Sequence, residues 1–130
     1  MRIKTDFVTN SSSSSFLVVF KTFPTSAKSL REQVFGERKE FDNPYPYHMD
    51  FWSTKEVAEY IFNRTRPASK EDIKYFWEYY DEDYPHKEPY EFEGKPCAIY
   101  NFSDNDGELE TALEHGNVFR NLESYRDSQH

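Results

Sequence analysis

Residues Pro96–Gly116 read PCAIYNFSDNDGELETALEHG, and the reading of this stretch decides the fold. Cys97–Phe102 is apolar and aromatic enough for a buried strand. Ser103–Gly107 is a tight acidic turn. Glu108–His115 reads as a short helix in which Leu109 and Leu113 pack one turn apart, and Gly116 stands where a helix C-cap glycine is expected. A strand that passes through an acidic turn into a helix is a common place for a ligand to sit. It is equally an ordinary way to turn a corner.

A second strand comes from Phe16–Phe23 (FLVVFKTF), which is β-branched and aromatic and is ended by Pro24. Before it, Arg2–Thr9 carries a short extended pattern with Ile3, Phe7 and Val8 apolar. The polar run Asn10–Ser15 joins the two pieces as a serine-rich, mobile loop. Thr25 or Ser26 caps a helix that reaches Phe35, with Ala27, Leu30 and Val34 on one face and Gly36 at its end. Ser53-Thr54-Lys55-Glu56 is a capping-box pattern that opens a helix through about Asn63 and buries Val57, Tyr60 and Ile61. Ser69 caps Lys70–Tyr80, where Ile73, Phe76, Trp77 and Tyr80 form a core-facing stripe and Tyr75 and Tyr79 lie on its flanks.

The intervening segments are loops. Glu37–Asp50 holds Pro44-Tyr45-Pro46-Tyr47, and acidic Asp81–Gly94 holds Pro85 and Pro89, with Tyr90–Phe92 extended. Asn117–Tyr125 is read as one more short helix with Phe119 and Leu122 inward, followed by five frayed residues. Helices outnumber strands and do not alternate with them regularly. The expectation is a single α+β domain over residues 1–130. It has a small sheet, with strands near 16–23 and 97–102, and about four helices packed mainly on one side.

Composition narrows the class. Hydrophobic residues make up only 36% of the 130, but they include 12 Phe, 10 Tyr and 2 Trp. Aromatic rings must therefore supply much of the core, at roughly 150–250 Å² buried each, and such a chain is not wholly disordered. The net charge of −8 is unevenly placed. From Met1 to Trp77, 12 basic and 10 acidic side chains nearly cancel, whereas from Glu78 to Glu114 only 2 basic residues stand against 12 acidic ones. That third of the chain repels nucleic acid and attracts basic protein surfaces or cations. One cysteine excludes an intrachain disulfide. No apolar segment follows Met1–Lys4 and the longest apolar run is Phe16–Phe20, so neither a signal peptide nor a membrane span is expected, and a cytoplasmic location follows.

The opening RIKTDFVTNSSSSSF resembles the start of small, uncharacterised bacterial and phage-associated proteins. These begin with a basic–Thr–Asp–Phe–Val–Thr/Ser–Asn–poly-Ser–Phe run. Ser103-Asp104-Asn105-Asp106-Gly107, followed by Leu113-Glu114-His115-Gly116, is similar to the C-terminal part of some of them. The resemblance implies a bacterial or phage origin and carries over no catalytic residues.

Four stretches hold chemistry worth weighing. Ser11–Ser15 offers hydroxyls and backbone N–H groups to a phosphate, but lacks the glycines and lysine of a P-loop. At the acidic turn, Asp104, Asp106, Glu110 and Glu114 are oxygen ligands spaced for Mg²⁺, Mn²⁺ or Ca²⁺, and His115 adds a nitrogen about 100° further round the helix from Glu114. Placed as an EF-hand loop with Gly107 at the invariant glycine, the first and last ligand positions fall on Phe102 and Leu113, so that pattern fails. The plainer reading has Asp104 or Asp106 capping the helix and the glutamates facing solvent. Cys97 with His86 or His115 has no nucleophile–base spacing, and a lone cysteine at the start of a strand is usually a small buried hydrophobe. His48 lies among tyrosines and packs. Asp81–Glu93 (DEDYPHKEPYEFE) mixes acids with tyrosines, a composition suited to an interface.

No P-loop, zinc-ligand pair or nucleophile motif is present. The reading that follows is a non-enzymatic protein-interaction module whose acidic, aromatic-rich surface binds a protein with a basic surface. The alternative is a divalent-metal-dependent, hydrolase-like enzyme with its site at residues 104–115. A third is an assembly subunit whose serine-rich N-terminus is ordered by a partner.

Overall fold

A computed structural model describes residues 13–41, 52–80, 87–103 and 107–129. Its centre is strand β1 (Ser13–Val19), which pairs antiparallel with β2 (Cys97–Ser103) on one side and β3 (Glu123–Gln129) on the other. The sheet order is therefore β2-β1-β3. Phe16 lies opposite Tyr100 and Arg126, and Leu17 opposite Ile99 and Tyr125. Because side chains alternate across a strand, Ser14, Phe16 and Val18 face one layer and Leu17 faces the other. Helices cover both faces, so Phe16, Leu17 and Val18 are all buried.

Three helices cover the first face: α1 (Ala27–Phe35), α2 (Thr54–Phe62) and α4 (Glu108–His115). Leu30, Val34, Val57, Ile61 and Leu113 meet Phe16, Val18, Tyr100 and Phe102 there, with Phe119 closing the end. Rings dominate this core. Phe119 stacks on Tyr100 at 5.1 Å, and Phe16 approaches Phe102 at 5.7 Å. Burial pushes the Tyr100 phenol far above its usual range, although its oxygen lies 2.6 Å from Thr65 Oγ1. The second face is covered by α3 (Lys70–Glu78) and a 3-10 turn, Pro89–Phe92. Ile73, Phe76, Trp77 and Phe92 pack there on Leu17 and Cys97.

This is the expected α+β class, with most of the helices on one side. Local signals set the helix starts. Ser26, Ser53 and Ser69 each accept the backbone N–H three residues on, and Ser29, Glu56 and Asp72 return a side-chain bond to the cap. Such caps satisfy backbone donors that the first helical turn cannot.

Several expectations are corrected. β1 begins at Ser13 and ends at Val19, so Phe20–Phe23 leave the sheet before Pro24. Ser13–Ser15 are not loop but the start of the central strand, held by partners on both sides. Arg2–Thr9, Ser11 and Ser12 lie outside the described residues. Tyr90–Phe92 is part of the 3-10 turn, not extended chain. Asn117–Tyr125 is not a helix: Asn117–Leu122 turns, and β3 runs from Glu123. Gly116 is the C-cap of α4 as expected, but with an ordinary φ of −88°. The left-handed residue is Asn117, at φ 48°, a conformation asparagine tolerates better than most residues.

Candidate functional site

Asp104 and Asp106 lie outside the described residues. Gly107, at φ 110°, occupies the N-cap position of α4 and so offers no side chain to the cap. Glu110 and Glu114 do not face solvent, as the plainer reading supposed. Both are buried, Glu114 completely.

Each glutamate joins elements distant in sequence. Glu110 accepts a short hydrogen bond from the Tyr60 hydroxyl on α2 and a 3.1 Å bond from the backbone N–H of Ser103 at the end of β2. Arg64 lies with its Nε 3.9 Å from the same carboxylate and its guanidinium 3.6 Å above the Tyr60 ring centroid. Glu114 accepts from Ser14 Oγ on β1 at 3.4 Å, and Arg126 Nε on β3 donates to that same hydroxyl at 3.2 Å. His115, about 100° further round the helix, brings its Nε2 within 3.2 Å of Glu114 Oε2. Buried carboxylates hold their place by collecting donors in this way. Sequence reasoning missed Ser14, Tyr60, Arg64 and Arg126, because nothing local marks a residue as the partner of a glutamate fifty or a hundred positions away.

Glu110, Glu114 and His115 thus share one helix but are engaged by protein groups. Among the described residues, no group of three or more His, Cys, Asp or Glu side chains is placed to hold a metal ion. Cys97 is buried at the start of β2, and that burial pushes its thiol up, away from the nucleophilic thiolate. His48 and His86 lie outside the described residues.

A different surface stands out on the second face of the sheet. Tyr75, Tyr79 and Tyr90 are 63%, 41% and 68% exposed, and among the described residues they are the large hydrophobic side chains left in solvent. Tyr75 on α3 and Tyr79 at its C-cap are one turn apart, with ring centroids at 4.5 Å and planes tilted by 43°. Tyr90 projects from the 3-10 turn packed beside α3. Glu71, Glu78, Glu88, Glu91 and Glu93 are exposed on these same two elements and their margins, where Lys70 pairs with Glu93 at 3.0 Å and Lys87 with Glu91 at 3.8 Å, leaving the excess negative charge to Glu71, Glu78 and Glu88. The inner side of the layer explains the outer one. Ile73, Phe76 and Trp77 fix the rotation of α3, so residues 71, 75, 78 and 79 must point outward.

No family model matches this chain, and no curated protein or solved structure matches it either. Among the described residues no helix is long and apolar enough to cross a membrane.

Proposed function

We propose that this chain is a non-enzymatic protein-interaction module of bacterial or phage origin, acting in the cytoplasm. Its acidic, tyrosine-bearing face on α3 and the Pro89–Phe92 turn binds a protein with a basic surface. The observation that carries this reading is the exposure of Tyr75, Tyr79 and Tyr90 together on one acidic layer, in a chain that buries its other described large hydrophobic side chains at least in part. Tyrosine gives an interface large, rigid contact area with a polar edge, and the surrounding glutamates select the sign of the partner and steer its approach. The same charge opposes a nucleic-acid backbone.

The test is affinity capture with the purified chain at about 50 mM and about 500 mM salt, with a Tyr75→Ala/Tyr79→Ala/Tyr90→Ala variant alongside. The expected result is a basic protein retained at low salt, released at high salt and lost from the variant. Retention of the same proteins by wild type and variant at both salt concentrations would overturn the reading.

A further inference from the structure

Resting on that reading, we infer that the α3 stripe Glu71, Tyr75, Glu78, Tyr79 is a seat for arginine side chains of the basic partner. Helical spacing puts Glu71 one turn before Tyr75 and Glu78 three residues after it, so a cation laid on the Tyr75 ring has a carboxylate at either end. All four side chains are exposed. Lys70 does not fill the seat, being tied to Glu93 at 3.0 Å. Lys74 is exposed three residues after Glu71 and four before Glu78, the spacing at which it neighbours both carboxylates, so a partner's arginine must compete with it, and the Tyr75 ring is what favours the arginine.

Arginine fits this arrangement better than lysine. A guanidinium is planar and weakly hydrated, so it can stack on a ring while its edge N–H groups reach carboxylates; an ammonium is a compact, strongly hydrated charge. The molecule already contains the same combination at its surface edge, with Arg64 exposed, Tyr60 half-buried and Glu110 buried. Arg64 lies 3.6 Å above the Tyr60 ring centroid and 3.9 Å from the Glu110 carboxylate. On α3, the tyrosine and the carboxylates are in place and the arginine is what a partner would bring.

The experiment uses three probes on the full chain at about 50 mM salt: an alternating Arg-Gly peptide, a Lys-Gly peptide of equal length, and an oligothymidylate. Binding is followed by calorimetry and by the ring signals of Tyr75 and Tyr79 in NMR spectra. The Arg-Gly peptide should bind about fivefold or more tighter than Lys-Gly and shift both ring signals. Tyr75→Ala/Tyr79→Ala and Glu71→Gln/Glu78→Gln should each weaken it by about tenfold, with circular dichroism unchanged because only exposed side chains are altered. Equal binding of the two peptides with unmoved ring signals would sink the arginine seat while leaving an acidic interaction face intact. Binding of neither peptide would sink the seat, and with an empty affinity capture it would sink the module reading as well. Binding of the oligothymidylate on these rings would replace both with a nucleobase-stacking surface.

Discussion

Glu110 on α4 accepts a hydrogen bond from the hydroxyl of Tyr60 on α2, across a separation of 50 residues. The same carboxylate holds the backbone N–H of Ser103 at 3.1 Å, so one side chain ties two helices to the end of β2. This makes Glu110 a structural acid, and its removal should be felt in stability.

Tyr60→Phe leaves the ring and its contact with Arg64 but removes the donor. The expected cost is about 1.5–3 kcal/mol, the range for a hydrogen bond to a charged group. Glu110→Gln should cost a similar amount, because an amide presents a donor where a carboxylate presented only acceptors. Since both changes break one interaction, the double variant should cost clearly less than the sum. Urea unfolding of the four proteins measures this. Additivity within about 0.3–0.5 kcal/mol would show that the two residues are not coupled.

Asp72 gives a pH-dependent prediction. Its carboxylate accepts the backbone N–H of Ser69 at 2.9 Å, which holds its pKa below the ordinary value of 3.8, helped by the Ser69 hydroxyl. A carboxyl whose pKa is lowered by folding contributes stability that is present above its unfolded pKa and is lost as pH falls through the folded one. Asp72→Asn should therefore destabilise the protein at pH 7, and the gap from wild type should close in the acid region below about pH 4. Ser69→Ala removes the other half of the box and should cost about 1 kcal/mol. Unfolding midpoints of wild type and variants across this pH range provide the test. An Asp72→Asn gap that stays constant down to pH 2 would show that the charged form is not what matters.

The four helices were legible because their signals are local. Ser26, Ser53 and Ser69 announce three of the starts, α4 instead beginning at Gly107 with no side-chain cap, and apolar spacing fixes the buried faces, including the rotation of α3 that leaves Tyr75 and Tyr79 outside. Non-local partnership was not legible. Ser13–Ser15 have the composition of a loop, yet they extend a strand because Asn101–Ser103 and Asp127–Gln129 pair with them on both sides. Register overrode propensity there. Glu110 and Glu114 could be placed on one helix from their spacing, but charged side chains usually face water. Only the arrival of Tyr60, Ser103 and Ser14 from elsewhere in the chain explains why these two do not.

β3 was the largest miss, and it yields the sharpest test of the fold. Glu123–Gln129 (ESYRDSQ) holds one large apolar residue, Tyr125, so nothing in its pattern marks a strand. The sequence alone suggests that the five residues from Arg126 onward are frayed. The structure places Arg126 opposite Phe16, with its guanidinium 5.7 Å from that ring, and buries Asp127 opposite Ser15. Arg126 also donates to Ser14, which in turn donates to Glu114. Ending the chain after Tyr125 therefore removes ladder hydrogen bonds from the central strand and a donor from the buried polar group around Glu114. At about 0.5–1.5 kcal/mol for each bond, the loss should be at least about 2 kcal/mol. Arg126→Ala in the full chain should reproduce part of it. Hydrogen exchange of the Phe16 and Leu17 amides, slow in the intact protein, should quicken in the truncated one. A truncated chain with unchanged stability and unchanged exchange on β1 would mean that β3 does not complete the sheet.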